Sequence, residues 1–130
     1  MEYEVWVDPA FTAVERRELH ACAAVWRSFS SDRVLVRFVD GAADFRLERR
    51  GPPNSGYVLR DRVAWIDADA AYRDGHDARA VRALCMNLVG AIFGAEWHHE
   101  RGALSQNDVV PEFTDADRRS CLAANLCDPT

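Results

Sequence analysis

The residues that could do chemistry gather late in the chain. Glu96-Trp97-His98-His99-Glu100 is the densest run of groups able to ligate a metal or move a proton. Neighbouring loop residues point in different directions, so this run could close a metal site only with His76 or His20 brought in from elsewhere. A solvated or hydrogen-bonded loop is the simpler reading, which leaves Glu96, His98 and His99 as weak acid–base candidates. Asp67, Asp69, Asp74, Asp77 and His76 crowd an earlier segment. DADAAYRDGHD lacks the spacing and closing Glu of a calcium loop, and carboxylates there suit a helix N-terminus. Ser28, Ser30, Ser31 and Ser105 sit in no GxSxG elbow. All 16 basic residues are Arg, so lysine Schiff-base chemistry is excluded.

Four cysteines occur without any CxxC pair, which disfavours a zinc knuckle. Cys22 and Cys85 stand singly among apolar residues and read as buried free thiols. Cys121 and Cys127 could bridge in an oxidising compartment or stay reduced, and their spacing does not choose.

The elements that must position these residues are legible from periodicity and caps. Glu2–Val7 alternates and reads as a strand stopped by Asp8-Pro9. Thr12 and Glu15 have capping-box spacing and open a helix to about Phe29, with Leu19, Cys22, Val25, Trp26 and Phe29 on one face. Arg33–Val39 alternates as a strand, and Phe45–Arg49, Tyr57–Arg60 and Val63–Asp67 follow as shorter ones, the Gly51–Gly56 stretch being a loop. Asp77–Gly94 reads as the most apolar helix, with Asp77 as candidate N-cap and Gly94 as its stop. Ala95–Phe113 is irregular, and Thr114 caps a last helix to about Leu126. The order β-α-β-β-β-β-α-loop-α predicts an α+β domain over 1–130: a mixed twisted sheet of about four or five strands, packed on two long helices plus a C-terminal helix.

That order and its words resemble the metzincin zinc peptidases, nearest to the small matrixin-like bacterial members. The resemblance rests on WID at 65–67, the buried helix ending in Gly, GALSQND at 102–108 and FTDADRRSCLAANLC at 113–127. In that family the buried helix carries HExxHxxGxxH: two His face zinc, the Glu is the general base, and the Gly permits the turn to a third His. Aligned on this chain, Met86 falls at the first His, Asn87 at the Glu and Gly90 at the second His. Gly94 comes one residue late, Glu96 or one of His98 and His99 lies near the third ligand, and Ser105 takes the Met-turn position. A thioether is a soft ligand, glycine has no side chain, and an amide has no basic lone pair for a metal-bound water. The resemblance therefore implies a degenerate member: the scaffold without the zinc motif, with no metal and no cofactor expected.

Two functions are compatible with that reading. The first is a catalytically inactive, zinc-free domain that binds a peptide, a protein partner or a small molecule in the vestigial cleft. Its contacts would be Trp65, Met86, Asn87, Gly90, Glu96, Trp97, His98, His99 and Ser105. Tyr57 and Tyr72 would border the cleft, whose edge strand could pair with an extended peptide. The second is a metal-free enzyme with repurposed chemistry, such as a cyclase, isomerase or hydrolase of a biosynthetic pathway, using Glu96 with His98 or His99. Composition narrows the partners. The balance of 16 basic against 21 acidic residues, net −5, argues against nucleic acid. No apolar run reaches the length of a membrane span, and no basic-then-apolar leader is visible, so a soluble, cytoplasmic protein is expected.

Overall fold

A computed structural model describes residues 1–51 and 55–129. Five strands, β1 (Glu2–Val7), β2 (Leu35–Val39), β3 (Phe45–Arg49), β4 (Gly56–Val58) and β5 (Val63–Ile66), form one sheet in the order β2-β1-β3-β5-β4. Only β4, at one edge, runs antiparallel, pairing with β5. Four helices accompany it: α1 (Ala13–Phe29), α2 (Ala68–Arg73), α3 (Arg79–Phe93) and α4 (Asp115–Ala123).

Helix α1 carries the chain from β1 to β2 as a crossover between parallel neighbours. Thr12 Oγ1 accepts from the Glu15 amide while a Glu15 carboxylate oxygen accepts from the Thr12 amide, so the capping box forms as its spacing predicts. From β2 to β3 the link is unusually short for parallel strands. It skips across β1, and β3 starts beside Val5 while β2 ends beside Trp6, so the chain hardly has to double back. Alternation then sorts the faces. Val5, Phe45, Leu47, Ala64 and Ile66 point into the core with Leu19, Cys22 and Trp26 of α1 and most of α3. On the opposite face the guanidinium of Arg46 lies 4.1 Å over the Trp6 ring, and that of Arg50 lies 4.3 Å over Trp65.

Several boundaries differ from expectation for local reasons. Strand β2 starts at Leu35 because the Val34 amide donates to Ser30 Oγ instead of the sheet. Strand β4 stops at Val58, where a turn closed by Arg62 N–H to Leu59 C=O begins. Asp77 does not cap α3: the N-cap is Ala78, and the Asp77 carboxylate accepts from the Arg79 amide. Helix α2 was unexpected; Asp67, read as the last strand residue, caps it by accepting from the Ala70 amide. Helix α4 ends at Ala123, and its Cys121 forms a disulfide with Cys127 beyond its end. Cys22 and Cys85 are buried free thiols. Of the expected loop from Gly51 to Gly56, Pro52, Pro53 and Asn54 lie outside the described residues.

Candidate functional site

Helix α3 ends where Gly94 takes the left-handed conformation (φ 102°), which a side chain would resist. If Gly94 is the turn glycine of HExxHxxGxxH, the three ligand positions become Asn87, Ala91 and Trp97, and the base position becomes Leu88. This register lies one residue later than the one counted from Met86, and it too supplies no metal ligand. The Trp97 indole N–H donates to the Asn87 carbonyl at 3.4 Å, and its ring meets Tyr57 of β4 edge-on at 5.6 Å. Two aromatics thus lie where the edge strand faces the helix.

The remaining helix positions are packing residues. Met86 is buried, and its carbonyl accepts from the Trp26 indole N–H across the α1–α3 contact. Gly90 keeps that contact close: a Cβ there would stand 2.3 Å from Leu104 Cδ2 and 3.2 Å from the Trp26 ring. Asn87 is buried, and its side-chain amide donates to the carbonyls of Ala103 and Ser105, each at 3.0 Å. It ties α3 to the loop beneath.

That loop is organised around Asp117, which is fully buried on α4. Its carboxylate accepts from the amides of Ala103, Leu104 and Thr114 at 2.8–2.9 Å. His98 completes the set: Nδ1 accepts from the Glu100 amide, so the proton sits on Nε2 and is donated to Asp117 at 2.6 Å. Ser105 Oγ accepts from the amides of Asn107 and Asp108. Each of these side chains is committed to holding backbone. Glu96 and His99 are exposed, and Trp65 lies on the sheet face away from the helices, so the structure does not bring the expected residues to one point. Among the described residues, no three His, Cys, Asp or Glu side chains are grouped to hold a metal ion.

Two other features escaped the sequence reading. Between α2, the start of α3 and residues 109–112 lies a cavity of about 610 Å³, with Asp67 and Ala83 among its buried lining and Leu84, Val109 and Pro111 along its wall. Nothing in the spacing of DADAAYRDGHD announces it, because one wall comes from α3 and another from a loop some 40 residues later in the chain. The second feature is an ion cluster built on the buried Glu15 carboxylate and open to solvent at Asp69. Arg49 bridges Glu15 and Asp69 at 2.8 Å each, and the Tyr72 hydroxyl donates to Glu15. Burial pushes the Glu15 carboxyl upward, but hydrogen bonds from Arg49, Tyr72 and Thr12 outweigh it and hold it at about 2. Tyr72 is pushed up to about 12 by burial and by its bond to the Glu15 carboxylate.

A mostly parallel five-stranded sheet with one antiparallel edge, two long helices on one face and a closing C-terminal helix is a metzincin-like α+β fold. The solved structure of myroilysin shares it: the TM-score is 0.58 at 13% identity, over 78% of this chain and 51% of that one. The chain therefore spans about half the length of that neighbour, and the likeness is one of fold. No protein-family model matches the sequence, and no curated protein matches it. No helix of the described residues is long and apolar enough to cross a membrane.

Proposed function

We propose that this chain is a metzincin-like domain that has lost zinc peptidase chemistry and binds a peptide, a protein partner or a small molecule beside α3. Myroilysin is a metalloprotease, so a peptidase is the alternative to be defeated. The observation that carries the reading is the state of Asn87. In either register it stands at a ligand or base position, and both hydrogens of its amide are donated to loop carbonyls. An amide so held neither binds a metal as imidazole does nor takes a proton from water. Binding is supported by the 610 Å³ cavity, which falls in the size range of small-molecule sites. The repurposed-enzyme reading is weaker on geometry, because Glu96 and His99 face solvent and His98 uses both ring nitrogens.

Metal content decides the first half. Mass spectrometry on protein purified without chelator should find less than about a tenth of an equivalent of zinc, and chelator should leave the melting temperature unchanged. Close to one equivalent, lost to chelator with a fall in melting temperature, would sink the proposal and return attention to Glu96–Glu100. The Cys121–Cys127 bridge supports maturation in an oxidising compartment, against the cytoplasmic expectation. Thiol tagging of the unfolded, unreduced protein should label Cys22 and Cys85 alone; labelling of all four would restore the reducing compartment.

A further inference from the structure

The cavity between α2 and α3 has a chemical bias at its inner end. Asp67 is one of its buried lining residues, only 5% exposed. Its Oδ1 accepts from the Ala70 amide at 3.0 Å, and its own amide donates to Ser55 Oγ at 2.9 Å. Its Oδ2 is buried and has no donor among the described residues. The carboxylate is held against the backbone, since a Cβ on Gly51 would stand 2.2 Å from Oδ2. Buried polar atoms nearly always have a partner, and a charged acceptor left without one costs the most.

The surroundings say which partner would suit it. Ala83, Leu84, Val109, Val110 and Pro111 make an apolar wall. At the rim stand Asp74, Asp77 and Glu112 with His76 and Arg79, and the Arg79 guanidinium is already paired with Asp77 at 3.0 Å. Carboxylates therefore dominate the opening as well as the inner end. An anion would meet repulsion throughout, and a purely apolar guest would leave Oδ2 unsatisfied.

We infer that this cavity is a recognition site for an alkylammonium or guanidinium group carried on an aliphatic stem, with the Asp67 carboxylate as its counter-charge. The stem lies along the apolar wall and the cation donates to Asp67 as a charge-assisted hydrogen bond. The inference rests on the binding function proposed above and names the ligand class for it. A basic side chain of a peptide and a free aliphatic amine share this chemistry.

The test is an amide-detected NMR titration of the whole chain with n-butylammonium, n-butylguanidinium and the neutral twin n-butanol. A capped Ala-Arg-Ala peptide and its norleucine twin form the second arm. Cationic probes should shift amides around Ala70, Ala83 and Val110 and bind about tenfold or more tighter than their neutral twins, with Asp67→Asn abolishing that preference. Asparagine keeps the cap of α2, so the variant should fold. A tighter peptide arm identifies a peptide's basic side chain as the source, and a tighter free amine identifies a small molecule. Equal binding by neutral twins, or a preference surviving Asp67→Asn, overturns the cation assignment. If that equal binding disappears in Ala80→Phe, which fills the cavity, the binding function stands without the charge. If no probe moves the cavity amides, both fall.

Discussion

Two buried aspartates divide the molecule. Around Asp117, three backbone amides and one imidazole N–H converge on the carboxylate, and the loop that follows α3 hangs from it. Around Asp67 one oxygen is used and the other has no donor among the described residues. The first region is where the metzincin resemblance puts chemistry, and its buried polar groups are committed to holding backbone. The second begins at the Asp of WID but lies outside the helix that carries the family's zinc motif, and it keeps unused acceptor capacity beside a cavity. Unused capacity, more than the presence of reactive residue types, separates a binding site from a scaffold.

The largest effect should come from Asp117→Asn. The substitution turns an acceptor oxygen into a donor facing backbone amides and strands donors that have no route to water. A loss of about 3–5 kcal/mol is expected, a large share of the 5–15 kcal/mol typical of a domain. Urea unfolding measures it, and a loss below about 1 kcal/mol would mean the loop can find other partners.

The Glu15 cluster comes next and reads out in pH. Its folded carboxyl is held at about 2 against an ordinary 4.5. A depressed folded value contributes stability that is complete above about 4.5 and is lost as pH falls toward 2. The shift corresponds to about 3.5 kcal/mol at neutral pH, by about 1.4 kcal/mol per pH unit. Glu15→Gln should be less stable at neutral pH and flatten the stability curve between those limits. Parallel curves for the two proteins would place the acid sensitivity elsewhere. Tyr72 has the opposite sign: its folded value is raised to about 12, so its contribution is whole below 10 and fades above it.

What could be read from the sequence follows from the range of each interaction. The capping box at Thr12, the N-cap at Thr114, the apolar stripe of α1 and the stop at Gly94 are signals contained within one or two turns, and all stand in the structure. The buried thiols followed from their apolar neighbours. The site was less legible. His98 meets Asp117 across 19 residues, and Asn87 meets Ser105 across 18, contacts that no periodicity encodes. The one-residue shift along α3 became visible only when the left-handed residue proved to be Gly94, with Trp97 following it onto Asn87. Helix α2 escaped because six residues carry too little apolar pattern, although Asp67 three residues before Ala70 is cap spacing.

The smallest expected effect is the sharpest test of the contrast. Asp67→Asn removes one negative charge from a buried position, keeps the oxygen that caps α2 and strands no backbone donor. Isolated buried charge is unfavourable, so neutralising it offsets whatever the new amide hydrogens lose by finding no acceptor. Stability should change by less than about 0.5 kcal/mol, or rise, although Asp67 is nearly as buried as Asp117. Thermal unfolding of Asp67→Asn and Asp117→Asn side by side measures the difference without any ligand. Similar large losses would mean that Oδ2 has a structural partner in the folded protein, and the carboxylate would then have no acceptor to offer a cation. A neutral or stabilising Asp67→Asn would mark a buried carboxylate that contributes nothing to the fold, as expected of a group whose role is ligand recognition.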